Sequence, residues 1–263
     1  MINHGLTPQE IFFYRFLIAY LGIWVISPKR LFTNNWQDEL WLVAGGIFGG
    51  SLYFFTENTA LGITQASNVS FIICTAPLLT TILSLLFYKS EKASKGLIYG
   101  SLLALMGVGL IVFNGSFVLK ISPIGDLLTL LAALSWAFYS LIIKKMARRY
   151  PTVFITRKIF FYGVLTILPA FLLHPLQPDT AVLLQPAVLF NLLFLAVLAS
   201  LICYVLWNVV LKQLGTVRAS NYIYLNPLVT MIASFLILDE KITLVALGGA
   251  ACIVCGVYWA EKK

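Results

Sequence analysis

The sequence predicts an all-α fold, a polytopic membrane helix bundle with nine transmembrane helices. Three observations carry this. Of 263 residues, 60% are hydrophobic and only 11% charged, with a mean hydropathy of +0.92; a soluble domain averages roughly 45–50% apolar and about 25% charged. The apolar residues fall into charge-free runs close to the roughly 20 residues that a helix needs to cross hydrocarbon. Basic residues gather in alternate loops, as they do in chains threaded through a bilayer. These features exclude an ordinary cytosolic enzyme, a disordered chain and a nucleic-acid-binding domain, despite the net charge of +8.

The expected helices follow in order as 9–27, 38–61, 65–88, 96–114, 123–145, 152–173, 187–211, 217–238 and 242–260. In the first, the apolar segment 11–27 is interrupted only by Arg15, and Thr7-Pro8-Gln9-Glu10 ahead of it is a capping box with proline at the first helical position. The residues before it have neither the basic nor the apolar region of a signal peptide. Leu61-Gly62-Ile63-Thr64-Gln65 is the turn dividing the long run from 40 to 88 into two helices. Ser122-Pro123 repeats the N-terminal capping arrangement before the fifth. The runs are continuously apolar, whereas barrel strands alternate over about 10 residues, so helices are preferred.

Orientation follows from charge. One set of loops receives Lys29, Arg30, Lys89, Lys92, Lys95, Lys144, Lys145, Arg148, Arg149, Lys212, Arg218, Lys262 and Lys263. The opposite set receives only Lys120 and Lys241, while Arg157 and Lys158 occupy the first turns of a helix on the basic side. The basic side is expected in the cytoplasm. In a bacterial-type inner membrane the C-terminus is then expected on the cytoplasmic side, with residues 1–6 and Asp179 outside.

The chain also repeats itself. Leu61-Gly62 followed by Ala66-Ser67-Asn68 matches Leu214-Gly215 followed by Ala219-Ser220-Asn221. Pro77 matches Pro227, Glu91-Lys92 matches Glu240-Lys241, and Gly100 and Gly107 match Gly249 and Gly256. Pro8 matches Pro151, so that Arg15 falls on Lys158. Two repeats are expected, residues 1–121 with four helices and 122–263 with five. The helix at 123–145 has no counterpart, and its partner would precede Met1. A unit of five helices is odd, so tandem copies lie in opposite orientations, the architecture of secondary transporters.

Gly125-Asp126-Leu127-Leu128, Ala132-Ala133-Leu134-Ser135-Trp136-Ala137-Phe138-Tyr139, and the Leu-Gly…Ala-Ser…Pro…Glu…Gly…Gly pattern in both halves resemble the EamA-like family of drug/metabolite transporters. The resemblance spans nearly the whole chain. It implies ten helices in two five-helix repeats, here lacking the first, and movement of small solutes by alternating access.

Glu57 is the only acid between Glu39 and Glu91. A carboxylate so deep in an apolar helix faces a cavity or a partner, or reaches water at the helix end. It is the candidate for ion or proton coupling, with Arg15 as its candidate partner; Arg15 snorkelling to the surface is the alternative. Pro77 and Pro227 mark helix kinks at corresponding positions, a pointer to a transport site. Aromatic and amide residues share helical faces: Tyr204, Trp207 and Asn208; Trp136, Tyr139 and Ser140; Tyr53 and Glu57; Asn221 and Tyr224; Tyr222 and Asn226. Rings with polar tips suit a cavity for amphipathic solutes, and each stripe alone also suits packing. The substrate-binding candidates are therefore Tyr53, Glu57, Trp136, Tyr139, Tyr204, Trp207, Asn208, Asn221, Tyr224 and Asn226.

The glycine pairs Gly45/Gly49, Gly46/Gly50 and Gly96/Gly100 read as close helix contacts. Cys252 and Cys255 read as packing, and His4 and His174 sit near span ends. No catalytic constellation, cofactor or metal is expected. The expected partners are a small-molecule solute and the lipid bilayer, not nucleic acid, and a homodimer stays open. The leading function is a secondary transporter of small organic metabolites, exporter or exchanger. A lipid or lipid-sugar flippase on the same fold, an intramembrane enzyme and an inactive truncated transporter are the alternatives.

Overall fold

The computed structural model describes residues 6–28, 32–88, 94–113, 122–173, 175–176, 180–238 and 242–262. Glu91-Lys92, Glu240-Lys241, His4, His174, Asp179 and several loop lysines lie outside the described residues. Every expected helix is found within a few residues of its expected bounds. They are α1 (Pro8–Ile26); α2 (Trp36–Gly46) continuing through a π-helical segment (Ile47–Ser51) into α3 (Leu52–Ile63); α4 (Ala66–Ile73) and α5 (Ala76–Phe87); α6 (Lys95–Phe113); and α7 (Pro123–Met146). The second half has α8 (Thr152–Ile167), the short α9 (Ala170–Leu173) and α10 (Thr180–Leu183), then α11 (Pro186–Leu193) running through a π-helical segment (Phe194–Ile202) into α12 (Cys203–Leu214). After these come α13 (Thr216–Asn221), a 3₁₀ turn (Tyr222–Leu225), α14 (Asn226–Leu238) and α15 (Leu244–Glu261).

Local chemistry sets the ends. The Thr7 hydroxyl accepts from the Glu10 N–H, and Glu10 accepts in return from the Thr7 N–H at 2.8 Å, so two orphan donors of the first turn are satisfied. Asn35 caps α2, whose first turn holds Asp38 and Glu39 where the helix dipole favours acids. Eight of the described helices or helix pairs are long and apolar enough to cross a membrane; Trp36–Ile63, with three acids, is the ninth long helical stretch.

The chain forms two compact units. Unit 1 comprises Met1–Asn58 and Phe138–Gln213, and unit 2 comprises Thr59–Ala137 and Leu214–Lys263. Each draws segments from both sequence halves, because a repeat is a likeness along the chain whereas a compact unit is a pattern of packing.

In unit 1, α1 packs on α8 and on the π-helical segment Phe194–Ile202, while α8 packs on α2 and on the π-helical segment Ile47–Ser51. The Arg157 guanidinium donates to the Ser27 carbonyl at one end of the α1–α8 contact, and Phe13 meets Phe171 at 5.7 Å towards the other. The two helices therefore run antiparallel. The expected small-residue contact of α2 is present: a Cβ at Gly46 would come within 2.9 Å of the Gly163 nitrogen.

In unit 2, α6 and α15 form the most extensive packing. Gly100 lies against the Gly256 carbonyl and Gly107 against the Gly249 carbonyl, and a Cβ at Gly107 would sit 2.5 Å from that oxygen. Only glycine allows backbones this close. These two helices are also antiparallel. Each prolyl helix is broken just before its proline, at Cys74-Thr75 ahead of Pro77 and at the 3₁₀ turn Tyr222–Leu225 ahead of Pro227. Both prolines are buried.

Candidate functional site

Unit 1 gathers the polar groups of several helices into one cluster. From α1, the Arg15 Nε donates to the Ser200 hydroxyl at 2.9 Å. Its guanidinium lies 4.5 Å from the centre of the Phe54 ring, a cation–π arrangement. From α3, the Tyr53 hydroxyl donates to the Glu57 Oε1 at 3.0 Å, as their i, i+4 spacing predicts. Arg15 interacts electrostatically with Glu57, Tyr53 and Tyr204, yet among the described residues no ion pair joins Arg15 to Glu57. One of the five guanidinium donors goes to Ser200, and among the described residues the others have no hydrogen-bond acceptor.

A second polar line continues from there. The Tyr204 hydroxyl donates to the Gly49 carbonyl at 2.6 Å, in the π-helical turn where carbonyls are offset from the α pattern; such turns recur at functional sites. Tyr139 is fully buried, with its ring packed on Gly49 and 6.0 Å from that of Tyr204. Its hydroxyl donates to the Asn208 Oδ1 at 2.8 Å, and the Asn208 Nδ2 donates to the Thr156 hydroxyl at 2.9 Å. The bulky Tyr139 ring fits only because position 49 carries no side chain. Of the expected site residues, Arg15, Tyr53, Glu57, Tyr139, Tyr204 and Asn208 thus join one network, and Trp207, on the same helix, is half-buried.

The others lie in unit 2. Asn68 and Asn221, matched in the repeat, are both buried, and neither amide atom of Asn221 has a hydrogen-bond partner among the described residues. Tyr224 is fully buried in an apolar core with Cys74, Ala104, Val108 and Ile253. Asn226 and Tyr222 share an exposed face, and Trp136 is half-buried. Among the described residues, no group of three or more His, Cys, Asp and Glu side chains gathers to hold a metal.

Sequence reasoning missed a second charged network in unit 1. The Lys158 ammonium and the Tyr162 hydroxyl both donate to the Glu39 Oε1, and Thr33 donates to its Oε2 from the backbone at 2.9 Å and from the hydroxyl at 2.7 Å. Beside it, Asp38 accepts from Arg149 at 2.6 Å and from Tyr150 at 2.9 Å. Burial pushes the Tyr150 hydroxyl above the usual tyrosine range, and the bond to Asp38 acts in the same direction. The available signal was the repeat itself, which places Lys158 on Arg15 and so at a depth where a lysine needs a partner.

With this geometry in hand, the comparisons are informative. The model of the EamA-like transporter family matches residues 1–113 and 123–260. The chain belongs to the EamA-like transporter family. This EamA-like chain is 30% identical to an uncharacterized transporter of Archaeoglobus fulgidus, over 98% of this chain and 89% of the relative. It is 23% identical to a probable amino-acid metabolite efflux pump of Escherichia coli K12, over 97% of this chain and 86% of that one. A solved crystal structure shares the fold with a TM-score of 0.78 at 18% identity, covering 98% of this chain and 88% of that one. As an EamA-like protein the chain is a multi-pass membrane transporter of small solutes and not an enzyme.

Proposed function

We propose that this transporter exports zwitterionic, amino-acid-like solutes across the bacterial inner membrane by alternating access, with the cluster in unit 1 as the solute-binding centre. The observation that carries the reading is the unpaired state of Arg15 and Glu57. Two opposite charges, both half-buried, share one cluster without closing on each other, and charges within a membrane span face a partner or a cavity. A zwitterion supplies that partner at both ends, its carboxylate towards the guanidinium and its ammonium towards the carboxylate. Tyr53, Tyr139, Tyr204 and Trp207 then offer rings to an apolar side chain, with Asn208 holding Tyr139. Glu57 is in addition the candidate for proton coupling. The efflux-pump relative in Escherichia coli supports the same solute class.

Alternating access is read here from two inverted repeats, 1–121 and 122–263. Two antiparallel pairs of matched helices, α1 with α8 and α6 with α15, support this reading, as does the reciprocal contact of Gly100 with Gly256 and Gly107 with Gly249. Exchanging each glycine for its counterpart in the other repeat turns one contact into the other. The charge bias of the loops supports a cytoplasmic C-terminus and a cytoplasmic Arg149. A cysteine at Arg149 should be labelled only from that side, and labelling from outside refutes the orientation; Asp179, its outer counterpart, lies outside the described residues.

Reconstitution into liposomes with and without a pH gradient, against a panel of labelled neutral amino acids and their decarboxylated and amidated analogues, tests the substrate class. Zwitterions should be carried and single-charge analogues carried poorly. Equal transport of an amine lacking the carboxylate would overturn the reading.

A further inference from the structure

A cavity of about 270 Å³ opens at one end of unit 2, lined by Ser94 and Leu97 of the α6 start, the segment Leu214–Arg218, and Ala260, Glu261 and Lys262 at the end of α15. Its volume lies just below the usual range for drug-sized ligands and suits a small polar group. Gly215, in the left-handed region at φ 82°, makes the sharp turn that brings α13 to its wall. Two cations, Arg218 and Lys262, and one carboxylate, Glu261, face the same space. Among the described residues Arg218 forms no ion pair, and the Oε1 of Glu261 is buried without a hydrogen-bond partner. A buried carboxylate oxygen in that condition needs a donor, and the exposed guanidinium of Arg218 beside it is available to an anion.

We propose that this cavity holds a phosphoethanolamine group, that of a phosphatidylethanolamine lipid, with the phosphate at Arg218 and Lys262 and the ammonium at Glu261. The ligand chemistry follows from the charges: two cations and one donor-seeking anion match a phosphate joined by two carbons to an ammonium. The lipid source follows from the place. The cavity is built from helix ends on the basic-loop side, and α6 and α15 expose Tyr99, Tyr258 and Trp259 within one or two turns of it, residues typical of the headgroup level. The site has no twin in the other repeat, where Gln65 stands at the position of Arg218 and Val112 at that of Glu261. It would bias one membrane face of the transporter only.

Native mass spectrometry of the purified full chain, titrated with phosphatidylethanolamine, phosphatidylcholine and phosphatidylglycerol of identical acyl chains, tests this. Phosphatidylethanolamine should be retained about tenfold better than phosphatidylcholine, whose methylated ammonium cannot donate to Glu261. Glu261→Gln should remove most of that preference, and Arg218→Ala should weaken binding of all three lipids. Unmodified protein that retains the three lipids equally overturns the proposal whether or not the variants fold, and so does an unchanged preference in folded Glu261→Gln. Soluble O-phosphoethanolamine displacing the lipid at equal concentration would overturn the lipid source.

Discussion

Arg15 of α1 and Lys158 of α8 occupy matching positions in the two repeats, and the structure treats them in opposite ways. Lys158 is sealed: its ammonium is bonded to Glu39, the two side chains are 5% and 6% exposed, and Tyr162 and Thr33 fill the remaining capacity of the carboxylate. Arg15 is held but not neutralised, with one bond to Ser200, the face of Phe54 and a carboxylate that remains out of ion-pair reach. The sequence explains the asymmetry. Glu39 has Leu192 as its counterpart and Glu57 has Val210, so each cation meets a different acid at a different depth. A sealed pair rigidifies its end of the bundle, whereas an unsealed one leaves binding capacity for a solute. Lys158 is thus tied into the fold, and Arg15 is the residue that the proposed function uses for solute.

The largest effect should come from breaking the seal. Glu39→Leu or Lys158→Met alone leaves a buried charge without its partner, which destabilises by about 3–5 kcal/mol. The double substitution removes both charges and should recover part of that loss, the orphaned Tyr162 and Thr33 donors keeping it below the starting value. Thermal unfolding in detergent measures all three; a double variant as unstable as either single one would show that Lys158 and Glu39 do not act as a pair.

The converse is expected at Arg15 and Glu57. Glu57→Gln keeps the shape and the acceptor for Tyr53, so unfolding should shift by less than about 1 kcal/mol, within the range of exposed pairs. Binding of a zwitterion should weaken by about 2–5 kcal/mol, the usual effect of losing one partner of a buried charge contact. Any pH dependence of transport should be lost with it. Were stability to collapse while transport by the folded fraction persisted, Arg15 and Glu57 would be a second structural pair and the contrast with Lys158 would vanish.

The helix bounds were legible because hydrocarbon imposes one requirement on every span, and a charge-free run of suitable length satisfies it in few ways. The helix breaks were legible through Pro77 and Pro227. Shared faces were legible too: Tyr53 reaches Glu57, and Asn221 and Tyr224 are both buried. Which face points inward was not legible. Tyr222 and Asn226 form as good a stripe as their neighbours, yet both are exposed, because an aromatic–amide stripe satisfies a surface and an interior equally. The π-helical segments left no trace in composition, since an extra residue per turn depends on what packs beside it. The Glu39–Lys158 pair stayed hidden for a related reason: near a span end, a lysine counts towards topology, and only tertiary contact shows it turned inward.

A middle-sized effect separates rings that touch solute from rings that pack. Replacing Tyr204 or Trp207 by Ala should weaken solute binding by about 1–3 kcal/mol if the ring contacts it. Tyr139 is fully buried against Gly49, so Tyr139→Ala should lower stability as well as binding, while Tyr139→Phe should lose the bond to Asn208 and keep the ring packing. A Tyr204→Ala variant with unchanged affinity would confine the site to the Arg15 and Glu57 side of the cluster.

The smallest effect lies at the rim of the sealed end. Tyr150 donates to Asp38 at 2.9 Å while Arg149, 56% exposed on its side chain, donates to the other carboxylate oxygen. Because the hydroxyl is held above its usual range, it stays protonated and donating throughout the physiological pH range, so the contact has no pH switch there. Tyr150→Phe removes two hydrogen bonds, the one donated to Asp38 and the one accepted from the Asn34 N–H at 3.2 Å, and leaves the buried Asp38 with its Arg149 partner. That should destabilise by about 0.5–1.5 kcal/mol for each bond. Arg149→Ala should have a smaller effect, because a solvent-screened ion pair contributes about 0–1 kcal/mol. The order of these two matters more than their size. If Arg149→Ala proved the more damaging, the exposed charge rather than the buried hydroxyl would anchor Asp38, and the seal would extend from Lys158 out to the surface loop.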